Sequence, residues 1–300
     1  MSSETRTEEP ETADADADAE SAGETQRQPH QERRLERKRE QARQRDLTEE
    51  ARLEVEEADE TVSLKVFRYD PEVAGKQEPR FDTFRVPFER GMTVLDALIY
   101  ARDHFDSSLT FRHSCQQAIC GSDAFFVNGR QLLGCQTQIS DLDEPIRIEP
   151  LPYYDVLKDL VVDLDDFYEE MRSMDPYLQP DDDPPGELAE RRQSRQNRED
   201  IKMSTRCIWC ASCMSSCSIY GQGEEYVGPA AINVAYRFAV DEREPAEVTA
   251  ERIQRIDEED GVWRCQTQFS CTEVCPKDIP LTQEIQDMKR EAVKRNLKFW

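Results

Sequence analysis

The residues of this chain best equipped for chemistry are its ten cysteines, which fall into three groups. The densest is "CIWCASCMSSC", where Cys207, Cys210, Cys213 and Cys217 follow the spacing C-x2-C-x2-C-x3-C. That run is typical of bacterial iron–sulfur ligation: three thiolates wrap one cluster and the fourth reaches a second one. Another group, Cys265, Cys271 and Cys275 followed by Pro276, lies on the same ruler, with glutamine at 268 where a thiol would fall. The pattern is a two-cluster register with one thiolate removed. Cys207, Cys210 and Cys213 are expected to combine with Cys275 around [4Fe–4S]. Cys265 and Cys271 then take Cys217, and three thiolates suit [3Fe–4S]. Gln268 is a poor fourth ligand, since a neutral amide binds iron weakly beside sulfide. Zinc sites also use C-x2-C pairs, but as two separated pairs rather than a run of four thiols.

The third group is Cys115, Cys120 and Cys135. Plant-type [2Fe–2S] sites read C-x4-C-x2-C with a distant fourth cysteine. Here "CQQAICGSD" places Asp123 where the third cysteine belongs. A carboxylate oxygen can bind ferric iron, so Asp123 is the candidate fourth ligand; the alternative is a loop acid capping a turn. Gly121 and Gly134 stand beside ligands, where backbone must come close to a cluster. The thiols divide as three, four and three, with none to spare. With three histidines, no Gly-rich phosphate loop and no flavin motif, the chain is a poor candidate for hydrolysis, and any flavin must belong to another subunit.

Composition narrows the setting. There are 64 acidic and 39 basic residues, a net charge of −25, and only nine of the basic residues are lysine. Nucleic-acid binders carry basic patches, so such a partner is not expected. Acid-rich, lysine-poor composition fits a protein kept soluble in high salt, where self-repulsion is screened, and points to a halophile. No stretch reaches the ~18 apolar residues of a membrane helix. No signal peptide opens the sequence, which with clustered cysteines favours cytoplasmic metal chemistry over disulfides.

The elements that must position these cysteines can be read in outline. Residues 1–58, rich in Glu, Asp, Ala, Gln and Arg, are expected to be a disordered acidic tail, in which "QERRLERKREQARQRDLTEEAR" could form a solvated helix with no apolar stripe to dock it. "TVSLKVFRY" and "FDTFRVPF" alternate as strands of a hairpin. "TVLDALIYARDHF" is an amphipathic helix with Thr93 as N-cap. In "AFFVNGRQLLGC", Asn128-Gly129 marks a turn between two strands, and "IRIEPL" is a last strand. Residues 59–152 thus form a small mixed sheet with one helix across it. From 153 to 300 helices are expected, beginning with "VLKDLVVDLDDFYEEM", where Leu157, Leu160, Val161, Leu164, Tyr168 and Met171 recur at helical spacing. A polar connection over 180–200 follows, and "GPAAINVAYRFAV" and "LTQEIQDMKREAVKRNL" supply two more helices. The aromatics Trp209, Trp263, Tyr220 and Phe269 near the thiols are expected to pack and keep water out.

Together, "SCQQAICGSDAFFVNG", "CIWCASCMSSC", "GPAAINVAYRFAVDERE" and "GVWRCQTQFSCTEVCPK" resemble the iron–sulfur subunit of the succinate dehydrogenase and fumarate reductase family. The resemblance spans residues 61–290 and implies an α+β chain. A plant-ferredoxin-like β-grasp domain with [2Fe–2S] would precede an all-helical, bacterial-ferredoxin-like domain with [4Fe–4S] and [3Fe–4S]. It implies a partner flavoprotein carrying FAD, a membrane anchor, in some members a cytochrome b, and a quinone near [3Fe–4S]. The subunit would sit peripherally on the cytoplasmic face of the cell membrane. Electrons would run from succinate to quinone, or in the reverse sense to fumarate; other flavin-linked reductases share the architecture. The family commonly has arginine where this chain has Gln116, proline at Ser218, a tryptophan pair after that proline, and histidine at Gln266. The spacing to "GPAAI" is closer to the fumarate-reductase branch, so menaquinone is the quinone expected.

Overall fold

A computed structural model describes residues 48–180, 190–223 and 226–298. Most of the expected acidic tail, 1–47, lies outside the described residues. Its last stretch differs from the expectation in being docked: residues 48–57 form a helix, α1. Ala51 is fully buried, Thr48 Oγ1 donates to the His104 carbonyl at 2.9 Å, and Tyr100 Oη donates to Glu54 Oε2. Among the described residues, the buried Ala51 and the hydrogen bonds of Thr48 and Glu54 help dock this helix, and no apolar stripe announces it.

β1 (Thr61–Arg68) pairs antiparallel with β2 (Arg80–Pro87), as the alternating pattern requires. Every second residue of β1 points inward, ending on Arg68. The buried guanidinium is met by Asp159 at 3.1 Å, Asp106 at 2.7 Å and Asp82 at 3.1 Å. Those partners matter, because an unpaired buried charge would cost several kcal/mol. α2 (Val94–Tyr100) starts at a capping box made by Thr93 and Asp96, then continues as a π-helical turn over Ala101–Phe105. β3 (Ala124–Val127) and β4 (Arg130–Leu133) are joined at Asn128 and Gly129, whose φ values of 47° and 85° suit a tight hairpin turn. β5 (Ile146–Glu149) lies parallel to β1 and antiparallel to β3, giving the order β2-β1-β5-β3-β4. Val94, Leu95 and Leu98 of α2 pack on Leu64, Ile146 and Ile148. Each such buried aliphatic side chain contributes about 1.5–3 kcal/mol. This is the β-grasp arrangement, and its β3–β4 side carries the first cysteine group.

The helix expected from Val156 onward begins later. Residues 156–162 form a short hairpin of β6 (Val156–Lys158) and β7 (Val161–Val162), and α3 covers Asp165–Ser173. Asp159 explains the difference. It has a left-handed φ of 46°, and its carboxylate accepts from Arg68 Nε, the Tyr69 amide and the Thr110 amide. Those bonds tie the segment to the first sheet, and Leu160 enters that sheet's core. The helical periodicity is real, but tertiary hydrogen bonds override it.

The remainder is helical: α4 (Arg195–Asp200), α5 (Ser212–Ser215), α6 (Gly228–Ala239), α7 (Ala246–Ile256), α8 (Ser270–Glu273) and α9 (Leu281–Lys298). α6 is buried almost throughout and is surrounded by α3, α5, α7 and α9. Pro229 stands in its first turn, where the missing N–H costs nothing.

Candidate metal centres

The two later cysteine groups share one backbone. A 3₁₀ turn over Ser204–Arg206 ends at Cys207, and another over Val262–Arg264 ends at Cys265. Trp209 and Thr267 then take left-handed φ values of 56° and 58°; Ala211 and Phe269 follow with 63° and 66°. α5 and α8 begin at the next residue in each run. Every correspondence is a shift of 58 positions, which sets Gln268 against Cys210. Alternation of right- and left-handed residues turns backbone N–H groups toward a common concavity, which suits sulfur and sulfide acceptors. The Trp209 N–H donates to the Cys207 thiol, and the Thr267 N–H to Cys265 Sγ at 3.4 Å. Gln268 is not free: its Oε1 accepts from Ser218 Oγ at 2.7 Å.

The thiols of these two groups line two separate cavities. Cys207, Cys210, Cys213 and Cys275 line one cavity together with Pro276, Ile279 and Leu281. Cys217, Cys265 and Cys271 line another with Tyr226, Gln268 and Phe269. Cys271 feels Cys217 and Cys265 electrostatically, whereas Cys213 feels Cys210 and Cys207 first, then Cys271 and Cys275. All ten cysteines are unbridged. Among the described residues no three His, Cys, Asp or Glu side chains converge tightly enough for one metal ion. A lone zinc needs its sulfurs within about 2.3 Å. Each set of thiols surrounds a cavity. Burial pushes Cys207 up to about 12 and Cys213 well above the usual thiol range. The ligating thiolates therefore need the positive charge of bound iron.

In the first group, the Gln117, Ile119 and Cys120 amides donate to Cys115 Sγ at 3.3–3.4 Å. These N–H groups lower the Cys115 thiol to about 7. The Ala118 amide donates to Cys135 Sγ at 3.2 Å, and Gln116 and Ala118 have positive φ. Asp123 is 1% exposed. Its Oδ2 accepts the Cys135 amide at 2.5 Å, while Oδ1 is buried without a hydrogen-bond partner. Burial, then the Asp123 carboxylate beside it, pushes the Cys135 thiol up to about 12. An orphaned carboxylate oxygen beside three thiols is a donor set that fits [2Fe–2S].

Some expected roles change. Gly121, with φ +70°, is needed because a Cβ there would lie 2.8 Å from Cys210 Cβ and 2.8 Å from the Ile208 carbonyl. It lets the first cysteine loop lie against the second. Gly134 instead makes room for the Phe125 ring. Trp209 and Tyr220 pack on the helical core, but Trp263 and Phe269 are 42% and 53% exposed. Both lie on the side of the three-thiolate set. His113 faces Arg102 Nη1 at 3.2 Å and packs by Phe111.

Three site features fall outside the sequence expectations: Ser218 as the partner of Gln268, Tyr226, and Glu284. Glu284 is 3% exposed and accepts from Ser204 Oγ at 2.8 Å and Asn233 Nδ2 at 2.7 Å. Burial raises its carboxyl to about 6. A signal for it exists in the sequence, since Glu284 interrupts the apolar stripe Leu281, Ile285, Met288 and Ala292 of α9.

Comparison with known proteins agrees with this geometry. Residues 63–169 match the family described as a 2Fe-2S iron-sulfur cluster binding domain, and residues 203–279 match the 4Fe-4S dicluster domain. The fumarate reductase iron-sulfur subunit of Mycobacterium tuberculosis is 37% identical over 238 residues, 79% of this chain and 95% of that protein. The fumarate reductase iron-sulfur subunit of Haemophilus influenzae is 34% identical, over 78% and 93% respectively. The succinate dehydrogenase iron-sulfur subunit of Paracoccus denitrificans is 37% identical, over 77% and 88%. The solved Mycobacterium smegmatis Sdh1 complex in the apo form contains a chain that superposes with a TM-score of 0.68 at 25% identity, covering 78% of this chain and 96% of that one. This chain belongs to the family of iron–sulfur subunits of fumarate reductase and succinate dehydrogenase.

Proposed function

We propose that this chain is the electron-transfer subunit of a succinate:quinone oxidoreductase, linking the FAD of a partner flavoprotein to a membrane quinone. When bound, the clusters supply one-electron transfer. Cys115, Cys120, Cys135 and Asp123 hold [2Fe–2S]. Cys207, Cys210, Cys213 and Cys275 hold [4Fe–4S], and Cys217, Cys265 and Cys271 hold [3Fe–4S]. The rest of the chain keeps these ligands dry, aims backbone N–H groups at their sulfurs and brings adjacent loops into contact through Gly121. The observation that carries the reading is the backbone repeated across the two cysteine runs, with one thiol replaced by Gln268.

The same path serves succinate oxidation and fumarate reduction, and relatives carry both names. No helix among the described residues is long and apolar enough to cross a membrane. In this reading other subunits provide the anchor, with a cytochrome b among them, and hold the chain on the cytoplasmic face. The exposed Trp263 and Phe269 beside the three-thiolate set support docking of that anchor there, with menaquinone as the quinone. Replacing Gln268 with cysteine tests the ligand sets. A fourth thiolate should convert [3Fe–4S] into a second [4Fe–4S], abolishing the EPR signal of the oxidised three-iron cluster. Persistence of that signal at full intensity would mean that the two cysteine runs are paired wrongly.

A further inference from the structure

Tyr226 lies just before α6 and is 4% exposed; its buried hydroxyl has no partner of ordinary hydrogen-bond geometry among the described residues, and the Cys265 side chain is its candidate acceptor. A buried phenol left unpaired costs on the order of 1–3 kcal/mol, so such a group calls for an acceptor. Its ring lines the cavity of Cys217, Cys265 and Cys271. Those three thiols are its electrostatic neighbours, Cys265 foremost. The backbone cannot readily move the ring elsewhere. The Val227 amide donates to the Asp260 carbonyl at 3.0 Å, and Gly228, at φ +80°, is packed against Met214. Both sites already have small hydroxyls beside a ligand: Ser212 stands 3.4 Å from Cys210, and Thr282, paired with Thr272, 3.5 Å from Cys271. The phenol is additional to these and lines the three-thiolate cavity but not that of Cys207, Cys210, Cys213 and Cys275. The other buried phenol of this region, Tyr154, has Tyr220 as its first electrostatic neighbour.

We propose that the Tyr226 hydroxyl donates a hydrogen bond to a sulfur of the three-thiolate cluster and raises that cluster's reduction potential. The inference rests on the ligand sets assigned above. Added negative charge on the sulfurs is stabilised by a nearby O–H dipole, and hydrogen bonds to sulfur are a recognised determinant of cluster potential. Tyr226 is thus a positioning residue: it makes the end of the path farthest from the flavin easier to reduce.

The test is Tyr226→Phe in the assembled complex, with redox titration followed by EPR. The three-iron midpoint should fall, the two-iron and four-iron midpoints should stay, and one exchangeable-proton coupling to the three-iron signal should disappear. A second variant carries 3-fluorotyrosine at 226, whose more acidic phenol is a stronger donor; its three-iron midpoint should rise. An unchanged midpoint with the coupling retained in Tyr226→Phe overturns the inference. If the phenylalanine variant assembles without the cluster, an unchanged midpoint in the fluorotyrosine protein overturns it instead. Absence of any three-iron signal in the unsubstituted complex would refute the ligand assignment rather than the role of Tyr226.

Discussion

Gly121→Ala tests the contact that joins the first cysteine loop to the second. Two separate costs arise. At φ +70° any Cβ is strained, by about 1–2 kcal/mol for a left-handed L-residue. The new methyl would also lie 2.8 Å from both Cys210 Cβ and the Ile208 carbonyl oxygen. Unstrained contacts sit near 3.5–4.0 Å, so the loops must part by about 1 Å. Neither neighbour is the free end of a flexible side chain, and overpacking of this kind costs about 1–3 kcal/mol. The total, roughly 2–5 kcal/mol, is a large share of a typical domain's 5–15 kcal/mol. Gly75→Ala provides the control, because Gly75 has φ +82° with nothing within 4 Å of an added methyl and so incurs only the backbone cost. Thermal unfolding of both variants separates the two effects. EPR of the reduced complex reads the gap itself, since spin coupling between [2Fe–2S] and [4Fe–4S] weakens as the loops separate. If Gly121→Ala destabilises no more than Gly75→Ala and leaves the spin coupling intact, the tight approach does not constrain the fold.

Three further outcomes are expected. Asp123→Cys should retain [2Fe–2S] with a changed midpoint potential, whereas Asp123→Ala should lose or weaken it; an unaltered [2Fe–2S] EPR signal in the alanine variant would show that Oδ1 does not ligate iron. Glu284 has its carboxyl raised from 4.5 to about 6, so the folded state favours its protonated form: this contribution to stability is complete below pH 4.5 and is lost as pH rises through 6. Glu284→Gln, whose amide can still pair with Asn233 and Ser204, should therefore gain about 2 kcal/mol at pH 7 and nothing near pH 4 in chemical denaturation; equal shifts at both pH values would exclude the linkage. Finally, with 64 acidic against 39 basic residues, the melting temperature should fall as KCl is reduced from molar to millimolar concentration, and a flat response would dismiss the high-salt adaptation.

Spacing along the chain is enough to foresee the three thiol groups, the missing thiol at 268, the β1–β2 hairpin, the Asn128-Gly129 turn and the Thr93 cap. These rest on patterns written along the chain: ligand runs, period-two alternation and single-turn chemistry. Helical spacing misleads over 156–162 because Asp159 bonds to Arg68, Tyr69 and Thr110, residues at least 49 positions away. The docking of helix 48–57, as distinct from its helical character, escapes a sequence reading for the same kind of reason, since its partners His104 and Tyr100 are more than 40 positions away. Tertiary structure alone decided that Gly121 abuts Cys210, that Trp263 and Phe269 stay exposed, that Ser218 holds Gln268, and that a buried phenol at Tyr226 faces the three-thiolate cavity. Periodicity reports which face of an element is apolar. Which atoms meet across two faces depends on how separate elements pack, and that is fixed only when their cores close together.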